Sequence, residues 1–276
     1  MNYFETDNLA QSYKDICRQV LDEGADVAPR GLKTKELLGF KLVLRDPMRA
    51  LVRGCDRKIS VPVAAAEALQ LVGGFSDPSA MLQVSPHFKV FQDGGVFHAP
   101  YGPRIAPQLP KVIGRLRADA STRQAHIQVW DPLQDLFTDV TRDYPCTVSL
   151  QFMIRNDELL MFTNMRANDA WRGFPYDVFQ FTQLQLAVAN TLGIQPGAYH
   201  HYATSFHLYE DNWEQAAELK TSEQPPVTGL WGGRSWSNVQ DRARKLFYGE
   251  IPEGVLGNGE SLMNNALRRR GVTGSW

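Results

Sequence analysis

The sequence predicts an α+β protein in which one mixed β-sheet is flanked by helices. Three observations point there. Segments with helical periodicity alternate with short strand-like runs along the chain instead of gathering in separate halves. Two of the runs are joined by a tight Asn156-Asp157 turn, a hairpin signal. No internal repeat, low-complexity linker or shift of composition divides the 276 residues, so 1–276 reads as a single domain, long enough to bury a sizeable core.

Each element has its own warrant. Residues 6–23 carry Leu9, Tyr13, Ile16, Val20 and Leu21 at helical spacing, and Gly24 stops them. Glu36–Leu44 (ELLGFKLVL) is short and apolar, as a buried strand is. Val61–Val72 is Ala-rich and helical, ended by Gly73-Gly74. Residues 75–110, rich in Gly, Pro and Ser, read as loops with short strands. His126–Trp130, Thr147–Arg155 and Leu159–Asn164 read as strands. Pro175 suits the first turn of a long helix that runs to Gly193. Ala198–Tyr209 alternates as a strand does, and Asn212–Leu219 is helical. The Gly- and Pro-rich tail after Ser222 carries no clear pattern.

Bulk properties narrow the function. With 29 basic and 30 acidic residues the net charge is −1, so no overall field draws the chain to nucleic acid or membrane. An anion must be held by a local cluster of arginines. The first residues show no basic start followed by an apolar run, so no signal peptide is expected, and no stretch approaches the ~18 uninterrupted apolar residues of a membrane helix. Cys17, Cys55 and Cys146 are odd in number and form no CxxC pair, which argues against a disulfide framework or structural zinc. The expectation is a soluble cytoplasmic protein with reduced thiols.

Taken singly, the chemical signals are modest. A Cys after a Pro at a strand entrance, as in Tyr144-Pro145-Cys146, is more often a buried apolar residue than a nucleophile. His200-His201 with His207 lack a carboxylate or thiol at ligand spacing, so no metal site is expected. The pairs Gly73-Gly74 and Gly232-Gly233 lack the strand-turn-helix setting of a phosphate loop. Asp169 and Asp177 sit near a helix start, where a carboxylate is welcome without catalytic duty.

Their order along the chain carries more. Arg30-Gly31-Leu32-Lys33-Thr34…Gly39 is followed by Glu67 in AEALQLVGG, Pro100-Tyr101-Gly102…Arg104, and Arg123 before HIQVW. Pro145-Cys146…Gln151-Phe152 comes next, then Met165-Arg166-Ala167-Asn168-Asp169…Gly173-Phe174-Pro175-Tyr176-Asp177, and finally His207-Leu208-Tyr209. From Arg30 to Tyr209 this series resembles, in family order, the motifs of the thymidylate synthase family.

The resemblance implies a thymidylate synthase-like fold that dimerises through its sheet, a pyrimidine nucleotide as substrate, and 5,10-methylenetetrahydrofolate as one-carbon donor. Cys146 would be the nucleophile: a thiolate adding at C6 breaks the ring conjugation and makes C5 enamine-like. Arg166 would be the cation that raises its thiolate fraction. Arg30, Arg123 and Arg166 would bind phosphate through planar guanidinium forks, with Arg123 reaching across the dimer. Tyr101 and Ala167 would line the nucleotide, and His207 with Tyr209 would hold the sugar. Asp169 and Gly173 would receive the folate, and Glu67 would organise water and proton transfer.

Departures from the family pattern sharpen the expectation. Where thymidylate-forming members have Asn, this chain has Asp177. A carboxylate complements the amino donor of cytosine and opposes O4 of uracil. With the resemblance to phage dCMP hydroxymethylases in Gly173–Asp177, this predicts a cytidylate 5-hydroxymethyltransferase finishing with water. The Arg-Arg pair of the family reads Arg123-Gln124, and the Ser of its Arg-Ser string is Ala167, a loss at the anion site that leans toward CMP over dCMP. The His after the nucleophile is Thr147. The rival readings are a methylase of dUMP or dCMP and a family member that binds nucleotide without turnover.

Overall fold

The computed structural model describes residues 2–52, 57, 59–137, 143–220, 235–251 and 258–272, so Cys55 and the Gly232-Gly233 pair lie outside the described residues. In chain order the elements are β1 (Tyr3–Thr6), α1 (Leu9–Glu23), β2 (Ala25–Val27), β3 (Thr34–Leu44), α2 (Val61–Gly73), α3 (Pro78–Val84), α4 (Tyr101–Ile105), α5 (Leu109–Ala118), β4 (His126–Gln128) and α6 (Pro132–Asp135). Then come β5 (Thr147–Arg155), β6 (Glu158–Asp169), α7 (Phe174–Leu192), β7 (Gln195–Tyr209), α8 (Trp213–Ala217), α9 (Trp236–Phe247) and α10 (Asn258–Arg268).

The strands form one sheet in the order β1-β3-β7-β6-β5-β4, with β2 paired to β3. The β1/β3 and β6/β7 pairs are parallel and the others antiparallel, so the sheet is mixed, as the sequence predicts. The β5–β6 hairpin turns at Asn156 and Asp157, whose φ of 52° and 61° match the primed turn that a right-twisted hairpin needs. The parallel β6/β7 pair requires a crossover, and α7 supplies it.

The core lies between the sheet and its helices. Phe40 of β3 and Phe206 of β7 stack with centroids 3.8 Å apart, and Phe174 at the start of α7 packs edge-on to both, at 5.7 and 5.0 Å. These three fully buried rings pin the first turn of α7 above β3 and β7. Gly173–Asp177 is thereby held over the ends of the central strands.

Several expectations need correction. Residues 75–110 hold α3, α4, the start of α5 and a short 3-10 turn at Pro86–Phe91; the only strand-like feature described there is an isolated bridge between Asp93 and Val96. Asp77 caps α3 by accepting from the Ala80 N–H at 2.9 Å, and its prolines serve as first-turn residues. The 126–130 strand ends at Gln128 because the amides of Val129 and Trp130 both donate to the one carbonyl of Val148. Strand β1 and helices α9 and α10 lie where no element was expected. The first helix begins at Leu9, capped by Asn8, because residues 3–6 pair with β3.

Candidate active site

Cys146 lies at the entrance of β5, half-buried, with its carbonyl accepting the Arg166 N–H of β6 at 2.9 Å. That backbone bond sets the thiol and the arginine side by side. Arg166 folds back on the same segment: Nε donates to the Pro145 carbonyl at 3.0 Å, Nη2 to that of Tyr144 at 3.3 Å, and the guanidinium lies 5.4 Å from the centroid of Trp130. The charges that act on the thiol are Arg166 and Arg30, which favour thiolate, and Asp177 and Asp143, which oppose it. Burial outweighs the arginines and pushes the thiol up. Arg166 is the larger of the two charges that favour thiolate, in the direction the sequence suggested, but it does not offset burial.

The loop before Cys146 is tied to the segment that leads into α4. Asp143 accepts from the backbone N–H groups of His98 and Ala99 at 3.0 and 2.9 Å. Behind it, Arg104 of α4 and Asp135 of α6 form a buried two-pronged ion pair at 2.6 and 2.9 Å. Two more Arg104 bonds, to the carbonyls of Val129 and His98, complete the anchor. This anchor positions Tyr101, whose ring stacks on Phe181 of α7 at 5.6 Å. Burial, with Asp177 and Cys146 nearby, raises the Tyr101 hydroxyl well above its ordinary value.

Three carboxyls surround the same space. Asp177, in the first turn of α7, accepts from Asn168 Nδ2 at 2.8 Å and from Gln180 Nε2 at 3.1 Å. Burial nevertheless pushes it up to about 7, against the two hydrogen bonds. Glu67 of α2 is pushed up to about 8 by burial and by the Asp177 charge, and its Oε2 is buried with no hydrogen-bond partner among the described residues. An orphaned carboxyl oxygen of this kind marks a place where a ligand or water completes the bonding. Asp169, at the end of β6, accepts from the N–H groups of Trp171 and Arg172 through Oδ1 at 2.7 and 2.9 Å, which shapes the turn into α7.

The register across the sheet places the remaining residues. Ala167 pairs with Ser205, Asp169 with His207, and His207 in turn with Glu36 of β3. Burial lowers the His207 ring, whose neighbours include Asp169, Glu36 and Arg30. Its Nδ1 lies 3.3 Å from the Ser205 hydroxyl, which donates to Glu36 at 2.5 Å, and its ring meets Tyr209 edge-on at 5.2 Å. Arg30 occupies a left-handed conformation (φ 55°) in the exposed Pro29–Gly31 turn. Arg123 is exposed just before β4, its carbonyl accepting from Gln151 Nε2 at 2.8 Å, five residues along β5 from Cys146.

Gly173 does not need a positive φ (−102°). A Cβ there would lie 3.1 Å from both Asn168 Nδ2 and Asp177 Oδ2, so a side chain would press on that hydrogen bond and its two partners would have to give way by a few tenths of an ångström. Sequence reading passed over Asn168, Gln180 and Asp143. Asn168 stood inside the Met165–Asp169 string and Gln180 one turn after Asp177, but nothing in their type marked them as partners of a carboxylate. His200 stacks on Phe162 at 4.3 Å, and His201 is buried in hydrogen bonds. Among the described residues no group of His, Cys, Asp or Glu could hold a metal, and no helix is long and apolar enough to cross a membrane.

A thiol, two arginines and two raised carboxyls thus act on one another at the ends of the mixed sheet. In comparison with known proteins, residues 91–244 match the family model described as thymidylate synthase, and the chain belongs to that family. It is 32% identical over 254 residues to a deoxyuridylate hydroxymethyltransferase of Bacillus phage SP01, covering 82% of this chain and 66% of that protein. A second deoxyuridylate hydroxymethyltransferase, of Pseudomonas phage M6, is 30% identical over 171 residues, 59% of this chain and 48% of that one. A putative thymidylate synthase of Methanothermobacter thermautotrophicus is 23% identical over 222 residues, 78% of this chain and 96% of its own. The chain thus spans about two thirds and about half of the two phage relatives.

Proposed function

We propose that the protein is a folate-dependent 5-hydroxymethyltransferase of pyrimidine nucleotides, with Cys146 as nucleophile and Asp177 as the group that reads the base. The observation that carries this is the pairing of Cys146 with Arg166 across β5 and β6, the Arg166 N–H donating to the Cys146 carbonyl at 2.9 Å, with the charges of Arg30 and Asp177 also acting on the thiol. Arg166 and Arg30 hold the phosphate. Arg123, exposed and tied through its backbone to Gln151 of β5, suits a residue that serves the neighbouring subunit of a homodimer. The outer sheet face, with Leu38 at 67% and Tyr202 at 40% exposure, supports that assembly. His207 and Tyr209 hold the sugar, with Tyr101 and Ala167 lining the nucleotide.

The folate cosubstrate is tested by the turn at 169–173. Asp169 presents a carboxylate whose Oδ2, 3.9 Å from Arg172 Nε, is not taken up by the two N–H groups bonded to Oδ1, and glycine at 173 adds no side chain over the tightly packed Asn168–Asp177 bond, so the residues present fit the polar edge of a pteridine ring. When bound, methylenetetrahydrofolate supplies a one-carbon unit at the oxidation level of formaldehyde. The chain's own residues do the rest. Cys146 Sγ adds to C6 and breaks the aromatic system, so that C5 becomes nucleophilic. Asp177 fixes the N3/N4 edge. Glu67, at about 8, keeps its proton near neutral pH and, with its unpartnered Oε2, serves proton transfer and the ordering of water. C5 would bond the one-carbon unit, the C5 hydrogen would leave as a proton and tetrahydrofolate would depart with the C–N bond electrons; water would then add to the resulting exocyclic methylene, and expulsion of Cys146 Sγ from C6 would restore the aromatic ring.

An ionised Asp177 accepts from the cytosine amino group, which favours CMP or dCMP. A second reading has its own support: with a value of about 7, Asp177 can also stand protonated, donor and acceptor like an amide, which suits the deoxyuridylate named for the phage relatives. Incubating CMP, dCMP and dUMP with methylenetetrahydrofolate and identifying products by mass tests both. A 5-hydroxymethyl nucleotide is expected; an exclusively 5-methyl product would make the protein a methylase. Nucleotide binding with no exchange of the C5 hydrogen would make it a non-catalytic member.

A further inference from the structure

Asp177 ends a chain of buried polar groups that the reaction outlined above leaves unused. Asn168 Nδ2 donates to Asp177 Oδ2 at 2.8 Å, and Asn168 Oδ1 lies 2.9 Å from His201 Nε2. His201 Nδ1 lies 2.9 Å from the Tyr199 hydroxyl, itself 3.0 Å from Thr163 Oγ1. Asn168, His201, Tyr199 and Thr163 are all at most 3% exposed, so no bulk water substitutes for a lost partner.

The inventory of donors and acceptors constrains the chain. Burial lowers His201 to about 3, so its ring is neutral at physiological pH and carries one proton. An Asn amide that gives N–H to Asp177 must turn its oxygen to His201. Nε2 then carries the imidazole proton, and Nδ1 accepts the single proton of the Tyr199 hydroxyl, which must in turn accept from the rotatable Thr163 hydroxyl in place of donating to it across their 3.0 Å contact. The opposite polarity sets the Asn168 oxygen against Asp177 Oδ2, which is tolerable only with a proton on Asp177. Other groups act on Asp177 from the surrounding elements: Gln180 on its own helix donates to it, Asp169 of β6 opposes its charge, and Glu67 of α2, Tyr101 of α4 and Cys146 before β5 all feel that charge.

We propose that His201 is a positioning residue for base recognition: its Nε2–H tautomer holds the Asn168 amide with N–H on Asp177 and so keeps that carboxylate a hydrogen-bond acceptor. The proposal rests on Asp177 being the base-reading group. Tyr199 secures the tautomer from the far side. The sequence offers no sign of this role, since His201 is one of three histidines on β7 and the only fully buried one.

The test reads the chain without turnover first. In 15N-histidine spectra of the intact protein, His201 is expected as the Nε2–H tautomer above pH 8; an Nδ1–H tautomer there overturns the proposal. The Asp177 carboxyl is followed by 13C shift in wild type, His201→Phe, His201→Gln and Tyr199→Phe. His201→Phe is expected to raise its midpoint by about one pH unit, because one neutral hydrogen bond to the carboxylate is no longer held in place. His201→Gln, which can still present N–H to Asn168, is expected to restore most of it. An unmoved midpoint in His201→Phe refutes the idea. Should that variant not fold, Tyr199→Phe must mix the His201 tautomers, and a tautomer unchanged there is equally fatal. The dCMP-to-dUMP ratio of kcat/KM at pH 8 is then expected to fall roughly tenfold in His201→Phe. A midpoint that moves while this ratio stays fixed would remove the base-reading role from Asp177 and leave the hydrogen-bond chain standing.

Discussion

Replacing Asp177 with Asn changes one oxygen for one NH2 group at the point where base identity is read. In the wild-type chain both carboxyl oxygens already accept from the protein, from Asn168 at 2.8 Å and from Gln180 at 3.1 Å. An Asn at 177 keeps one of these bonds and sets its NH2 toward the other donor. Gln180 holds the longer bond and can turn its amide, so the new side chain is accommodated. Toward the ligand, the amide supplies the donor that uracil O4 needs and withdraws an acceptor from the cytosine amino group. Each mismatch of a buried polar pair costs about 1–3 kcal/mol, so the dUMP-to-dCMP ratio of kcat/KM is expected to rise about ten- to a hundredfold. Competition between the two nucleotides, with products identified by mass, measures it directly.

The pH dependence sharpens that test. Asp177 titrates at about 7: below that value it is protonated and suits uracil, and above it is ionised and suits cytosine. The wild-type dCMP-to-dUMP ratio should therefore climb as pH rises through about 7, while in Asp177→Asn it should stay flat. Cys146 ionisation affects both substrates and drops out of the ratio. A wild-type ratio that does not move with pH, together with an unchanged preference in the variant, would remove the reason for assigning base selection to Asp177.

Further outcomes follow from the site. Cys146→Ser is expected to retain nucleotide binding by calorimetry while losing turnover and C5 hydrogen exchange by about a thousandfold or more. Because burial raises the Cys146 thiol, the wild-type rate on a fixed substrate should gain a limb that rises toward alkaline pH. Glu67, at about 8 in the folded chain against 4.5 ordinarily, contributes stability that is whole below about 4.5 and lost as pH rises through about 8. Glu67→Gln should flatten that decline in a Tm-versus-pH series, removing up to about 5 kcal/mol of it. Arg104→Ala leaves the Asp135 carboxylate buried without its partner and is expected to cost about 3–5 kcal/mol in denaturant unfolding.

Much of the scaffold was readable because local signals and tertiary structure agree. Gly24, Gly74 and Gly193 each end a helix where the periodic pattern stops. The Asn156-Asp157 hairpin and the long helix begun at Phe174-Pro175 were visible in the same way. Residues 75–110 misled because Pro marks a loop and a helix start equally well, and only the Asp77 cap distinguishes them. The four-residue β1 was invisible because an edge strand gains its stability from a partner, here residues 41–44 of β3.

The sequence by itself determined which chemical groups this protein owns and their order: a thiol behind a proline, a set of arginines, and a carboxylate at 177 in the first turn of the long helix. Tertiary structure alone decided what state those groups are in. Burial holds Cys146 as thiol against two arginines, keeps a proton on Glu67, and brings Asp177 to the edge of ionisation beneath a hydrogen-bond chain from two other elements of the fold, β6 and β7. Protonation depends on solvent exclusion and on charges many residues apart in sequence, and both exist only once the helices have closed over the sheet.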